Sequence, residues 1–220
     1  CEKTGKPYIN KEKIKEFLDK IQYPAYYMDF ETCGSAIPLF DGSSPYQQIP
    51  FQFSVHVVKE KGAKPEHFSF LADGTNDPRP EFMKKLKDVI GTKGSIIAYN
   101  AGFEMGILKK CTVLLPQYKS CVESIEERII DLLKPFSSFA YYHPKQDGSC
   151  SLKKVLPALT GKSYDDMEIG DGGTASAEYC RVTFTENNQD KVKVRRLLEE
   201  YCGLDTMGMV DIVEKLYSFK

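Results

Sequence analysis

Residues 25–31 constrain this chain most, because an apolar strand pattern there ends in two acids. Side chains alternate across a strand, so Asp29 and Glu31 share one face with Tyr27. Two carboxylates held side by side near a core repel each other, so one keeps a proton or a cation lies between them. The alternative is a strand end whose acids cap turns in water. The rest of the chain decides between these two interpretations.

The remaining hydrophobic pattern predicts an α/β domain with a mixed sheet. Residues 25–31, 51–57 and 66–71 are typical of three antiparallel strands in a meander. The short apolar runs 95–99 and 129–133 indicate buried parallel strands. Helices are predicted after Asn10, after Asp77-Pro78, over 103–110 and 117–127, after Ser151, and over 187–215 with a candidate break at Gly203.

Three segments between these elements are predicted to be loops. Residues 32–50 hold three prolines and two glycines and would overhang the acidic strand end. Residues 135–150 form an aromatic loop, and residues 170–173 form a turn with a structural role. We expect one domain, with a leading helix in 1–23, a sheet core in 24–133 and a helical part in 134–220.

Charge and cysteine usage exclude some classes of protein. A net charge of −1 excludes a nucleic-acid-binding protein whose whole surface is strongly basic, although basic patches can be local. Seven scattered cysteines without a CxxC pair predict a reduced, cytoplasmic environment. We predict no membrane partner, because neither a membrane span nor a signal peptide is visible. Since the first residue is Cys1, we expect a piece of a longer protein, with that protein's other domains as partners.

Acids at three places along the predicted fold could meet. They are the pair Asp29 and Glu31, then Glu104 just after the buried run 95–99, and Asp205 on the last helix. Tyr201 lies one helical turn before Asp205 and shares its face. Oxygen ligands without a histidine or cysteine cluster favour Mg²⁺ or Mn²⁺ over zinc.

Three motifs carry these acids in order along the chain: Asp29-Phe-Glu31, Tyr99-Asn100-Ala-Gly-Phe103-Glu104, and Tyr201-Cys-Gly-Leu-Asp205-Thr206. Together they resemble the exonuclease motifs of the DEDD superfamily, and the Tyr-x-x-x-Asp spacing resembles its DEDDy branch. The run Ser151-Leu-Lys-Lys-Val-Leu is also similar to that group. Nearly the whole chain resembles, more closely, an uncharacterised bacterial domain family assigned to the ribonuclease-H-like fold. Glu104 departs from the superfamily, which usually has aspartate at this position.

The resemblance implies a 3′–5′ exonuclease that hydrolyses DNA or RNA with two metal ions. Asp29 would bridge both ions, Glu31 and Asp205 would complete one site, and Glu104 would hold the second ion. Tyr201 would orient the attacking water. The expected substrate is a single-stranded 3′ end, because a narrow acidic cleft must admit one chain.

Other residues near the motifs are candidates for substrate binding. Phe30 and Phe103 could stack on a terminal base or pack in the core. Asn100 could bind substrate or hold its own turn. The phosphate backbone could be contacted by Lys153 and Lys154 at the start of their helix. Asp131 could be a further active-site acid, but a strand-end aspartate often caps a turn, and we predict that role for it.

Two other functions stay open at this stage. One is a catalytically degenerate module that binds nucleic acid or serves as a scaffold, which Glu104 and the lack of overall basicity favour. The other is a structure-specific endonuclease on the same fold.

Overall fold

A mixed sheet of five strands lies at the centre of the computed structural model, which describes residues 1, 3–74, 76–186 and 188–220. The strands in chain order are β1 Tyr8–Ile9, β2 Ala25–Cys33, β3 Ile49–Val58, β4 Glu66–Leu71, β5 Ile96–Ala98, β6 Ile129–Asp131 and β7 Tyr141–Tyr142. The helices are α1 Lys11–Leu18, α2 Arg79–Val89, α3 Gly102–Leu114, α4 Lys119–Arg128, α5 Lys134–Ser137, α6 Leu152–Thr160, α7 Gly172–Phe184 and α8 Lys191–Tyr217, and Pro116–Tyr118 and Pro144–Gln146 are 3₁₀ turns.

The sheet has the strand order β4-β3-β2-β5-β6. The first three strands pair antiparallel, and β5 and β6 continue the sheet in parallel pairs. The predicted α/β class, the meander and the two parallel strands are therefore confirmed. Strand β2 is central, so its end carries the acidic pair into the middle of the molecule.

Helices cover both faces of β2, which explains why this strand is buried almost throughout. On one face Phe30 packs edge-on against Phe82 of α2, with ring centroids 4.9 Å apart. On the other face Cys202 of α8 lies against Asp29, with Sγ 3.7 Å from Oδ2. The alternation of side chains along β2 thus assigns its apolar residues to the α2 side and its acids to the α8 side.

The predicted aromatic loop over 135–150 is wrong in part. These residues form α5, the strand β7 and a 3₁₀ turn. Strand β7 pairs with β1, where Tyr8 faces Tyr142 across the ladder. Two-residue strands leave almost no periodic pattern, and a partner so distant in sequence cannot be inferred locally.

The assignment of residues 170–173 to a turn is also corrected. Helix α7 begins at Gly172, and the carboxylate of Asp171 accepts a hydrogen bond from the Thr174 amide at 2.9 Å as an N-cap. Helix α7 was not predicted. The loop predicted over 32–50 is shorter than expected, because β2 continues to Cys33 and β3 begins at Ile49.

Helix α8 runs for 27 residues without a break at Gly203. A single glycine costs a helix only about 1 kcal/mol, and packing along the sheet outweighs that cost. The helix starts at Lys191, and position 187 of the predicted span lies outside the described residues. Among the helices of the described chain, none is both long enough and apolar enough to cross a membrane.

The aromatic cluster under α2 should carry much of the fold's stability. Phe82 is fully buried and contacts the rings of Phe30, Phe53 and Phe70. We expect Phe82→Ala to lower the free energy of unfolding by about 3–5 kcal/mol through lost burial and a cavity, as measured by urea titration. Phe139→Ala is the control, because that ring is 61% exposed. A change for Phe139→Ala as large as that for Phe82→Ala would contradict this assignment of the core.

Candidate functional site

Strand β2 brings Asp29 and Glu31 to the same face, next to α8. One carboxylate oxygen of each residue and Sγ of Cys202 all lie within 4.8 Å of one another. The register against β3 shifts between Glu31 and Thr32 at a bulge or irregularity, after which the pairing continues with Thr32 opposite Pro50. Bulges often occur beside active sites, because they re-aim a side chain. The group Asp29, Glu31 and Cys202 could therefore hold a metal ion.

Helix α3 contributes Glu104 from its first turn. The turn before it is fixed by Asp131, whose Oδ1 accepts hydrogen bonds from the amides of Asn100 at 3.0 Å and Leu133 at 2.9 Å. The prediction that Asp131 caps a turn is confirmed. Asn100 has a φ of 69°, a left-handed conformation that asparagine adopts more readily than most residues. These two hydrogen bonds fix the turn between β5 and α3, and so they fix the position of Glu104 in the first turn of α3.

The carboxylate of Glu104 has an unusual environment. The side chain is only 2% exposed, and its Oε2 has no hydrogen-bond partner among the residues that the structure describes. A buried carboxylate oxygen without a donor loses its hydration and gains nothing in return. A cation beside this oxygen would remove that cost.

Helix α8 contributes Tyr201 and Asp205, one turn apart and both buried. Oδ1 of Asp205 accepts a hydrogen bond from the hydroxyl of Tyr164. The Tyr201 hydroxyl lies near the Asp205 carboxylate and lowers its pKa. Two phenols therefore lie beside one carboxylate that faces the acids of β2.

These elements enclose one open cleft of about 530 Å³. All five side chains predicted to be catalytic line it: Asp29, Glu31, Glu104, Tyr201 and Asp205. The structure thus brings together residues from β2, α3 and α8 that are up to 176 positions apart (205 − 29). Their individual roles stay predictions.

The electrostatics of the cleft favour a bound proton or cation at every carboxyl. Burial raises the pKa of Asp29 well above its usual value, and the charges of Asp205 and Glu31 raise it further. Burial likewise raises the pKa of both Glu31 and Glu104 to about 8. The pKa of Asp205 rises only to about 6, because the Tyr164 hydroxyl and the charge of Lys153 oppose the effect of burial.

This donor set fits a hard divalent cation. Carboxylate oxygens are the ligands that Mg²⁺ and Mn²⁺ prefer. The third member of the group around Asp29 and Glu31 is Cys202, whose pKa is raised well above its usual value by burial and by the charge of Asp29. Its sulfur is a soft ligand, whereas Mg²⁺ and Mn²⁺ prefer oxygen. Asp29, Glu31, Glu104 and Asp205 are the residues that could hold the ion.

The predicted base-stacking residues have different environments. Phe103 is 41% exposed and lines the cleft, as does Asn100. Phe30 borders the cleft, but its ring is 4% exposed and packs against Phe82. A ring buried in the core cannot stack on a base, so the substrate role proposed for Phe30 is corrected to core packing.

The two predicted lysines also differ. Nζ of Lys153 lies 5.1 Å from the ring centroid of Tyr201, and its charge lowers the pKa of Glu31 and Asp205. Lys154 is exposed on α6, and neither lysine is among the described residues that line the cleft. The structure therefore brings Lys153, but not Lys154, to the acids.

Sequence reasoning missed two parts of this site. Tyr164 lies in the irregular segment between α6 and α7, and no motif or periodicity marks it. The amino end of α7 lines the cleft through Gly172 and Gly173, and a Cβ at Gly172 would lie 3.4 Å from Oε2 of Glu31. The aspartate of the Asp171-Gly-Gly run is a favoured N-cap residue, and this signal could have predicted the start of α7.

The raised pKa values predict how stability depends on pH when a chelator is present. The folded chain keeps protons on Glu31 and Glu104 up to about pH 8, whereas the unfolded chain releases them near 4.5. The free energy of unfolding should therefore fall as pH rises through this window, by up to about 1.4 kcal/mol per pH unit for each retained proton.

Urea unfolding between pH 7 and 8.5 tests this, because the effect of His56 and His67 on stability fades below that range. The pKa values of these two histidines are lowered in the fold, so their contribution to the pH dependence ends near pH 6.5. Glu31→Gln should flatten the slope, whereas Glu200→Gln, at an exposed position of α8, should leave it unchanged. A stability that stays constant or rises over this range would refute the predicted shifts.

Comparisons with known proteins find a family of unknown function and uncharacterised relatives, and none of them names an activity. Residues 26–151, which include Asp29, Glu31 and Glu104, match the model of a family described as a domain of unknown function, DUF2779. A Mycoplasma pneumoniae protein named "Uncharacterized protein MG366 homolog" is 25% identical over 220 residues. "Uncharacterized protein MG366" of Mycoplasma genitalium is 27% identical over 225 residues.

Each alignment covers 91% of this chain and 33% of the relative, so the chain spans about a third of the length of these curated relatives. No solved structure matches the chain. Because the family model covers more than half of the sequence, this chain belongs to the DUF2779 family.

Proposed function

We propose that this chain is a metal-dependent nuclease domain that hydrolyses phosphodiester bonds of DNA or RNA, acting as a 3′–5′ exonuclease. One observation carries the proposal. Four carboxyl groups from β2, α3 and α8 line one cleft, and a buried oxygen of Glu104 has no hydrogen-bond partner within the described chain. Such a concentration of buried acids is costly unless a cation joins them.

The topology supports assignment to the ribonuclease-H-like fold. Three antiparallel strands are followed by two parallel ones, with helices on both faces. The acids lie on the central strand β2 and on the long helix α8 that crosses it. This is the arrangement that the resemblance to the DEDD superfamily implies.

Asp29, Glu31, Glu104 and Asp205 would hold the Mg²⁺ or Mn²⁺ ions. When bound, these ions would lower the pKa of a water and stabilise negative charge on the phosphodiester oxygens. Glu104 reaches further from its helix than aspartate would, and its carboxylate still lines the same cleft as Asp29.

Tyr201 would orient the attacking water through its hydroxyl. Burial and the nearby acids raise the pKa of Tyr201, so the phenol stays protonated and acts as a hydrogen-bond partner, not as a base. Lys153, whose ammonium lies over the Tyr201 ring, would contact a phosphate of the substrate. Phe103 at the rim would stack on an unpaired base, which favours a single strand.

Loss of one carboxylate should abolish cleavage and preserve the fold. We expect Asp29→Asn or Asp205→Asn to lower Mn²⁺-dependent hydrolysis of a 5′-labelled single-stranded oligonucleotide by about 10³-fold, because several kcal/mol of charge stabilisation is lost. Asp211→Asn on the same helix is the control, since Asp211 pairs with Lys162 outside the cleft. If wild-type protein cleaves neither DNA nor RNA in Mn²⁺, the proposed activity is refuted for this chain.

A degenerate scaffold or binding module would behave differently in a thermal shift experiment. Metal that binds only the folded state raises the melting temperature. We expect Mn²⁺ to raise it for wild type and much less for Asp29→Asn. Under the scaffold hypothesis, Mn²⁺ would leave the melting temperature of both wild type and Asp29→Asn unchanged.

The exonuclease proposal also predicts a preference for ends. A linear single-stranded substrate with a free 3′ hydroxyl should shorten stepwise from that end in a sequencing gel. A closed circular single strand of the same sequence should survive, because it offers no terminus. Rapid opening of the circle would instead favour a structure-specific endonuclease.

A further inference from the structure

Tyr164 contacts the site from a side that the proposed mechanism does not use. Its side chain is 8% exposed, and its hydroxyl donates a hydrogen bond to Oδ1 of Asp205. Tyr201 lies near the same carboxylate and lowers its pKa, and of the two tyrosines only Tyr201 is among the described residues that line the cleft. Tyr164 therefore supports Asp205 from within the protein, behind the carboxylate.

The ring of Tyr164 is itself held in a defined position. It packs against the ring of Tyr201 in an edge-on arrangement, with centroids 6.3 Å apart. Nζ of Lys153 lies 5.8 Å from its centroid, within the range of a cation–π contact. The hydroxyl is thus presented to Asp205 by contacts that do not depend on substrate.

A carboxylate on a short side chain turns easily about its terminal bond, which has only a broad preference. A donor fixed to one oxygen removes that freedom and leaves the other oxygen for a different partner. Groups that orient a ligating carboxylate in this way are worth about 10- to 100-fold in metal affinity.

We propose that Tyr164 is a positioning residue that fixes the orientation of the Asp205 carboxylate, so that Asp205 would be held ready for a metal ion. This inference rests on the proposed metal-dependent function. It assigns Tyr164 and Tyr201 different tasks on one carboxylate. Tyr164 sets the affinity for the ion, and Tyr201 acts on the water during turnover.

The test is Mn²⁺ binding by wild type and Tyr164→Phe, measured without substrate from the electron paramagnetic resonance signal of free Mn²⁺. We expect Tyr164→Phe to bind Mn²⁺ about 10-fold or more weakly. Tyr179→Phe is a matched control, because Tyr179 is also buried but its hydroxyl has no hydrogen-bond partner among the described residues. Its affinity should equal that of wild type.

A double-mutant cycle separates positioning from a general structural effect. In an Asp205→Asn background, Tyr164→Phe should change Mn²⁺ affinity by less than about twofold, because the coupled partner is already gone. Tyr201→Phe should lower turnover at saturating Mn²⁺, because the proposed role of Tyr201 is to orient the attacking water. An equal loss of affinity for Tyr164→Phe in both backgrounds would overturn the inference.

A second pair of variants covers the case in which Tyr164→Phe does not fold. Tyr164→Gln retains a hydrogen-bond donor and Tyr164→Leu does not, so Gln should bind Mn²⁺ more tightly than Leu. Equal Mn²⁺ affinity of this pair, or of wild type and Tyr164→Phe, refutes the positioning role and leaves the proposed nuclease intact. Absence of Mn²⁺ binding by wild type refutes both.

Discussion

Mutual repulsion among buried carboxylates is the constraint on which this structure depends. Asp29 lies close enough to Asp205, Glu31 and Glu104 for all three charges to raise its pKa. Hydrophobic residues at these positions would give a more stable fold. The buried acids therefore lower the free energy of unfolding, and their role is functional and not structural. The other features of the site can be understood as means of holding the acids in place.

The sheet and helix α8 supply the rigid part of that support. Strand β2 is the central strand, and its alternation sends Phe30 into the aromatic cluster while Asp29 faces α8. Helix α8 is also anchored to β3 through Thr206, whose hydroxyl hydrogen-bonds with Ser54 at 2.6 Å and with His56 at 2.8 Å. Because Thr206 follows Asp205 directly, these bonds also fix the rotation of the helix at the site.

The less regular segments complete the cleft. The turn clamped by Asp131 aims Glu104, and the amino end of α7 lies beside Glu31. A helix start carries partial positive charge, so it suits a neighbouring carboxylate. Tyr164 reaches Asp205 from the segment before α7. The irregular segments thus orient individual side chains of the site, whereas the sheet and α8 set the positions of the backbone that carries them.

The sequence by itself determined the parts of this protein that depend on local periodicity and spacing. Alternation in β2 indicated the shared face of Asp29 and Glu31, and the four-residue spacing indicated the shared face of Tyr201 and Asp205. A meander of three strands and two apolar runs indicated the mixed sheet, whereas the position of β5 beside β2 was not predicted. These features were predictable because a strand repeats every two residues and a helix every 3.6.

Only the tertiary structure decided which groups meet across the chain. The contact of Tyr164 with Asp205, the pairing of β1 with β7 and the burial of the Phe30 ring leave no local pattern. The continuity of α8 through Gly203 likewise reflects packing along the sheet. Such contacts join segments far apart in sequence, and their energy comes from burial and hydrogen bonds that exist only after the chain has folded.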